Sequence, residues 1–286
     1  EAVATGISAA MAATDHVITA YRVHGIALTQ GMQPGVVLAE LMGKATGSSK
    51  GKGGSMHLAD TELNFWGGHA IVGAHLPLAT GLATAFKYQQ KPDRIVCMFG
   101  DGATNIGYFH ESLNLSKVWG LPVLWLCENN QYGMGTTIQR ASAVDEIRYK
   151  ADGYKMKSAK ADGMDVLAMK KAVETALDYI TKKGEPYFLE AMTYRFHGHS
   201  MGDPERYRES SEIAKYKEDD PIGKFGAYLM SEKIATEAEL QTVADQVETQ
   251  VTEAVQFAEE SPFPEDSALW EDIYTNPETA KQGVLF

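Results

Sequence analysis

The sequence predicts an α/β fold, a parallel sheet covered by helices on both faces and followed by a helical C-terminal extension. Three observations carry that reading. Two wholly apolar runs, Ile95-Val96-Cys97-Met98-Phe99 and Val123-Leu124-Trp125-Leu126-Cys127, have the length and composition of strands buried on both faces. Stretches with helical spacing of apolar residues alternate with the strands, as expected when crossover helices join parallel strands. Each run also ends on polar residues, Gly100-Asp101-Gly102 after the first and Glu128-Asn129-Asn130 after the second. That is the edge at which open parallel sheets bind ligands.

Taken in order, residues 1–11 have helical spacing, and a short strand over 17–20 ends at Tyr21-Arg22. Pro34, well placed at a first helical position, opens a helix to about residue 42. Residues 43–68 are rich in Gly, Lys and Ser with little periodicity, and read as one long loop of the kind compact domains keep for function. Residues 73–89 form a helix rich in small side chains (Ala74, Ala79, Gly81, Ala83, Ala85), which permits close packing against another helix or subunit. A crossover helix over 105–119 joins the two apolar strands. Residues 131–150 read as irregular, with helical character near their end. A helix over 166–181 leads to a strand over 187–194 and into Arg195-Phe196-His197-Gly198-His199-Ser200. The charged stretch 201–219, with Pro204 and no clear apolar face, reads as a mobile loop. Amphipathic helices over 221–233 and 236–259 follow. Without an internal repeat, the simplest division is an α/β domain over 1–220 and a helical extension of that domain over 221–286.

At 286 residues the chain can bury a large core, and 44% apolar with 22% charged residues is ordinary for a globular protein. A formal net charge of −12 argues against nucleic acid and anionic membrane surfaces as partners. No apolar stretch reaches bilayer-spanning length. Cys97 and Cys127 fall inside predicted strands and read as reduced thiols acting as small hydrophobes, in a reducing, aqueous compartment. The sequence starts at Glu1 rather than Met and reads as a fragment, so a targeting segment is not judged from it. The bacterial cytoplasm is the first expectation, with the mitochondrial matrix and the plastid left open.

The chemistry gathers where the strands end. Asp101 and Asn130 both offer oxygen, the donor type of a hard cation such as Mg²⁺, which keeps part of its shell for phosphate oxygens. The backbone N–H groups of Gly102 and Ala103, at a helix start, suit a diphosphate oxygen. Arg22 follows the first strand on the same edge and can grip a phosphate with two charge-assisted hydrogen bonds. Lys50-Gly51-Lys52-Gly53-Gly54-Ser55-Met56-His57 lacks the spacing and the preceding strand of a nucleotide phosphate loop, and reads as an active-site or subunit-contact loop. His197 and His199 make a poor metal site without a third ligand, but an imidazole there can donate to a diphosphate or a 2-oxo acid. Tyr207 and Arg208 read as solvated loop residues. Met134, between two glycines, brings a flexible apolar side chain beside anything bound. Serine-nucleophile, zinc-protease and cysteine-nucleophile signatures are lacking.

Gly100-Asp101-Gly102 with Asn129-Asn130 at this spacing resembles the diphosphate-binding motif of thiamine diphosphate enzymes. Further motifs widen the match: Tyr21-Arg22-Val23-His24-Gly25, the lysine–glycine stretch ending at His57, Ile71-Val72-Gly73-Ala74, the segment from Glu128 to Thr136, and that from His197 to Pro204. Together they are similar to the α subunits of E1 components of thiamine diphosphate-dependent 2-oxo acid dehydrogenases, in the pyruvate branch. The resemblance runs from Glu1 to at least Arg208.

That resemblance implies a thiamine diphosphate-binding fold, thiamine diphosphate and Mg²⁺ as cofactors, and oxidative decarboxylation of pyruvate with acetyl transfer to a lipoyl group on the E2 component. It implies an α₂β₂ heterotetramer with an E1 β subunit that supplies the glutamate activating the cofactor, and contacts with the lipoyl domain and core of E2. By the same resemblance Tyr21 and Arg22 hold the diphosphate, while Asp101, Asn130 and the backbone carbonyl of Tyr132 bind Mg²⁺. Gly102 and Ala103 meet the diphosphate through their backbone, Ala70 and Val72 touch the aminopyrimidine by main chain, and Met134 supports the bent cofactor. His199 is the catalytic loop histidine beside diphosphate and substrate, and another family histidine falls upstream of Glu1. Ala70 stands where the family usually has Gly, which is harmless unless the position needs a positive φ. Ser200 matches the regulatory phosphorylation position of mitochondrial members, but the chain departs from that pattern after Pro204.

Acetoin and branched-chain 2-oxo acid dehydrogenase α subunits are the nearest rivals; the latter usually carry Gly-Glu-Gly where this chain has Gly100-Asp101-Gly102. A nicotinamide-dependent Rossmann enzyme would need a glycine fingerprint after its first strand, which is lacking. A non-catalytic assembly subunit would have no use for Asp101, Asn130 and Tyr21-Arg22 together.

Overall fold

The apolar runs do form a parallel sheet. The computed structural model describes residues 1–275, so the end of the expected extension, 276–286, lies outside the described residues. In chain order the elements are α1 (Ala2–Ser8), β1 (His16–Ala20), α2 (His24–Thr29), α3 (Pro34–Leu41), β2 (Phe65–His69), α4 (His75–Tyr88), β3 (Ile95–Gly100) and α5 (Gly107–Trp119). Then come β4 (Val123–Asn129), a small hairpin of β5 (Tyr132–Gly133) and β6 (Thr136–Thr137), α6 (Ile138–Ala141), β7 (Lys157–Asp162), α7 (Val166–Lys183) and β8 (Tyr187–Met192). The chain continues through α8 (Ser210–Lys217), α9 (Pro221–Ser231) and α10 (Glu237–Glu260). Single 3₁₀ segments, Asp101–Asn105 and Ile147–Tyr154, follow β3 and α6.

Six strands pair in the order β2-β1-β3-β4-β8-β7, all parallel. Side chains along each central strand alternate between two cores. Val17, Val96, Met98, Leu124, Leu126 and Leu189 pack on one face with Ile7, Met169 and Val173 from α1 and α7. Ile18, Cys97, Phe99, Trp125, Cys127 and Phe188 pack on the other with Leu76, Phe109 and Leu113 from α4 and α5. Burying each large side chain is worth roughly 1.5–3 kcal/mol, which is why these runs need no polar face. Both cysteines are free and buried. The indole of Trp125 donates to Ser116 Oγ at 3.0 Å, so its one polar group is satisfied inside the core.

Helix ends follow their sequence signals. Asp165 caps α7 by accepting from Leu167 N and Ala168 N, and Gly184 closes it in the left-handed conformation. Thr236 and Glu239 form a capping box at the start of α10, which packs along α3.

Three segments depart from the sequence expectation. The loop expected over 43–68 gives way to β2, which runs from Phe65 and pairs with β1. Its two glycines weaken strand propensity, and the edge pairing, the buried Phe65 ring and a Trp66 Nε1 bond to His16 Nδ1 supply the order instead. β7 reads Lys-Ser-Ala-Lys-Ala-Asp, a pattern with little apolar character, yet it pairs along its whole length with β8. The stretch 201–219, expected as a loop without a core face, contains α8. Tyr216 of that helix stacks on Tyr194 at 3.8 Å, and Glu212 accepts from the hydroxyls of Tyr132 and Tyr194. These are long-range contacts that no local periodicity reveals.

Candidate cofactor site at the carboxyl edge of the sheet

The strand order reverses between β1 and β3. β1 has β2 on one side and β3 on the other, so the loops leaving β1 and β3 diverge and open a crevice, the place where open α/β sheets take ligands. A cavity of about 730 Å³ lies there. β4 aligns with β3 so that Gly100 faces Glu128, which puts Asp101 and Asn130 side by side just beyond the strand ends. Every residue that the resemblance assigns to cofactor or metal lines this cavity except Ala70, which sits one position past β2. Ala70 is not among the residues with positive φ, so its methyl group is unstrained there.

Asp101 is 2% exposed, and its Oδ2 has no hydrogen-bond partner. Burial pushes its carboxyl up to about 6, against the opposing pull of the N–H groups of Asp101 and Asn130 and the Arg195 charge. An orphaned, desolvated carboxylate costs stability unless a cation or donor completes it. Asn130 Oδ1 accepts from Tyr132 N at 3.3 Å, which folds the chain after β4 back over the crevice. Gln131 and Met134 hold left-handed backbone conformations, φ +71° and +55°, which non-glycine residues adopt only under strong tertiary constraint. Gly102 and Gly133 face each other, and a side-chain methyl on Gly102 would lie in ordinary van der Waals contact, 3.6 Å from the Gly133 Cα. The bare backbone at this turn leaves its N–H groups accessible to a bound oxyanion.

Arg195 at the end of β8 ties the site together. Its guanidinium donates to Met134 O at 3.0 Å, to Tyr207 Oη at 2.6 Å and, more weakly, to Tyr132 O at 3.4 Å. Asp203 Oδ2 accepts from His199 N and Tyr207 Oη, and its carboxyl is held down to about 2, first by the tyrosine hydroxyl. Arg208, assigned from sequence to a solvated loop with Tyr207, is buried and donates to the carbonyls of Arg195 and His197. That assignment is corrected: both residues brace the loop carrying His199. Arg22 Nη2 donates to His199 O at 2.9 Å, and Tyr21 meets the His199 ring edge-on. Burial, with Arg22 and Arg195 nearby, holds His199 below the usual histidine range, so the ring is neutral at pH 7. Because Arg195 lies 3.4 Å from Nδ1 as a donor, the ring proton belongs on Nε2. Met134 is 64% exposed at the rim.

The lysine–glycine stretch is organised by a residue the sequence reading passed over. Glu40 of α3, with no exposed surface, accepts from the backbone N–H groups of Ser49 and Gly51 at one oxygen and of Gly53 and Gly54 at the other. His57 then reaches Gly68 O of β2. Arg195 and the buried Glu190 of β8 were likewise missed; a lone charge inside the apolar run Tyr187-Phe188-Leu189-Glu190-Ala191-Met192 was the signal that could have found the latter.

Comparison with known proteins identifies the family. Residues 1–267 match the dehydrogenase E1 component family. The pyruvate dehydrogenase E1 component subunit alpha of Rickettsia felis is 42% identical over 274 residues, spanning 96% of this chain and 84% of that protein. The subunit of the same name from Zymomonas mobilis is 44% identical over 278 residues, spanning 96% and 77%. The mitochondrial counterpart from Schizosaccharomyces pombe is also 44% identical over 278 residues, spanning 96% and 67%. With a family match along nearly its whole length and relatives above 40% identity, the chain belongs to the dehydrogenase E1 component family.

Proposed function

We propose that the chain is the α subunit of a pyruvate dehydrogenase E1 component, binding thiamine diphosphate through Mg²⁺ and decarboxylating pyruvate for acetyl transfer to a lipoyl group on E2. The observation that carries it is the orphaned Oδ2 of Asp101, buried beside Asn130 at the sheet's switch point. A carboxylate, an amide oxygen and the Tyr132 carbonyl form an oxygen donor set suited to Mg²⁺, with coordination positions left for diphosphate. Among the described residues no group of three or more His, Cys, Asp and Glu side chains could hold a metal ion.

Bound thiamine diphosphate would supply the nucleophilic carbon and electron sink that decarboxylation needs. The chain's own residues bind, orient and donate. Tyr21 and Arg22 flank the diphosphate, and the N–H groups of Gly102 and Ala103 meet it at the start of the 3₁₀ turn. Val72 and Ala70 present main chain to the aminopyrimidine, and Met134 supports the ring system at the rim. His199, neutral and carrying its proton on Nε2, donates to the diphosphate or the substrate carboxylate while Asp203 and Arg22 fix its backbone.

The rim also supports a partner subunit. Ile71 and Val72 are exposed at the cavity mouth, and Val72 lines it. An apolar rim on an open cofactor site suits an E1 β subunit that closes it, in an α₂β₂ assembly that then engages E2. No helix among the described residues is long and apolar enough to cross a membrane. Bacterial relatives favour the cytoplasm as its compartment.

The test is reduction of an artificial electron acceptor such as 2,6-dichlorophenolindophenol by the chain purified with its partner subunit, offered pyruvate, acetoin or branched-chain 2-oxo acids, a readout that does not depend on loss of CO₂. Pyruvate is expected to be turned over at least tenfold more efficiently than the others. A preference for acetoin or a branched-chain acid would move the chain to that branch of the family.

A further inference from the structure

Glu190 and Lys150 take no place in the site just described, yet each is tied to one of the two turns that form it. Glu190 projects from β8 with no exposed surface. Its Oε1 accepts from Asn129 Nδ2 at 2.8 Å and from Ile147 N at 3.1 Å, and its Oε2 accepts from Arg148 N at 3.0 Å. Asn129 is itself buried, and its Oδ1 accepts from Gln131 N at 3.0 Å. Glu190 therefore fixes the amide that holds Gln131 in its left-handed conformation, immediately next to Asn130.

The same carboxylate anchors the start of the 3₁₀ segment Ile147–Tyr154 through its first two N–H groups. One turn later Lys150 leaves that segment and reaches the other half of the site. Its ammonium donates to Thr104 O and Thr104 Oγ1, both at 3.0 Å, and to Asn105 Oδ1 at 2.6 Å. Thr104 is fully buried, and its hydroxyl sits 2.8 Å from Asp101 O. The ammonium thus neutralises the carbonyl end of the turn whose N–H groups face the crevice.

We propose that Glu190 and Lys150 are positioning residues, a brace that holds the Asp101 turn and the Asn130 turn in the separation a shared divalent cation requires. The brace is continuous: Asn130 turn, Asn129, Glu190, the 147–154 segment, Lys150, Thr104, Asp101 turn. Neither residue touches the cavity. The two turns are also linked by the β3–β4 ladder, which ends at Gly100 and Glu128, by the Asn130 N–H at the Asp101 carboxyl, and by the contact of Gly102 with Gly133. This inference rests on the proposed metal site.

The experiment is a Mn²⁺ titration followed by electron paramagnetic resonance at fixed thiamine diphosphate, using the full chain with its partner subunit. Glu190→Gln keeps the shape but turns one acceptor into a donor facing a backbone N–H. Lys150→Met keeps the stem and removes the ammonium. Each is expected to raise the Mn²⁺ half-saturation about tenfold or more, the usual cost of losing a group that orients metal ligands. Glu146→Gln, which disturbs only the pairs with Arg148 of that segment and Lys160 of β7, should leave it within twofold. If Glu190→Gln fails to fold, Lys150→Met decides alone. Wild-type half-saturation in Lys150→Met, or in a folded Glu190→Gln, would overturn the brace. Absence of Mn²⁺-dependent binding in the wild type would instead overturn the metal site and the inference with it.

Discussion

Replacing Glu40 by Gln probes a carboxylate that gathers four backbone hydrogen bonds outside the cofactor site. The carboxylate is wholly buried and accepts four backbone N–H groups at 2.8–3.0 Å, two at each oxygen. A glutamine amide keeps the shape, but whichever way it turns, its NH₂ faces two N–H donors. Two backbone groups then lose their acceptor, at about 1–3 kcal/mol each. Ser49, Gly51, Gly53 and Gly54 are only half-buried, so water can recover part of that loss. The net destabilisation at pH 7 should be about 2–4 kcal/mol, read as a shift of the urea midpoint or a fall in Tm of roughly 5–10 °C. The pH dependence adds a second readout. Burial alone would raise the Glu40 carboxyl, but the four N–H donors outweigh it and hold the group below its ordinary 4.5. Its contribution is present above that value and is lost as pH falls through the lower folded value, so the gap between wild type and E40Q should narrow on acidification below about pH 4.5. A loss under about 1 kcal/mol at pH 7, or a gap that stays constant into acid, would refute the reasoning.

Asp101→Asn removes a carboxylate that burial has pushed up to about 6, so the metal-free protein should gain up to about 3 kcal/mol at pH 7 in chemical denaturation while Mg²⁺-dependent cofactor binding disappears. Unchanged cofactor affinity would refute the metal assignment. His75, fully buried with Nε2 2.8 Å from Met98 O, is lowered to about 4 by burial. Between pH 6.5 and 4 the unfolded chain takes up a proton the folded ring refuses, so stability should fall by up to about 3 kcal/mol across that window. His75→Gln should flatten that part of the urea-midpoint curve, and an unaltered slope would contradict it. His199→Ala should lower kcat by about 10²-fold or more while moving cofactor half-saturation little, since it deletes a donor rather than an anchor. Lost thermal stability with normal kcat would mark it as a loop-structural residue.

How much was legible in the sequence varied with the range of the interactions. The central strands declared themselves because burial on both faces leaves no room for polar residues, as in 95–99 and 123–127. Asp101 and Asn130 were legible because polar residues that close such strands have few structural reasons to be there. The edge strands were not: β2 carries two glycines and β7 only two alanines among Lys, Ser and Asp, and both exist through pairing with β1 and β8 rather than local preference. Arg195, Arg208, Glu190 and Glu40 act over distances in sequence that run from two residues to more than sixty, mostly on backbone atoms. A side chain that holds main chain leaves no complementary residue type for a sequence pattern to show. α8 is the same case in reverse, an eight-residue helix supported by Tyr194 and Tyr132 from elsewhere.

The central claim is a thiamine diphosphate site completed by a divalent cation and a second subunit. It is tested most directly by calorimetric titration of thiamine diphosphate into the full chain, with Mg²⁺ or with chelator, alone and with the co-purifying partner. Tight binding only when Mg²⁺ and partner are both present is the predicted result. Equal binding in chelator, or none under any condition, would contradict it.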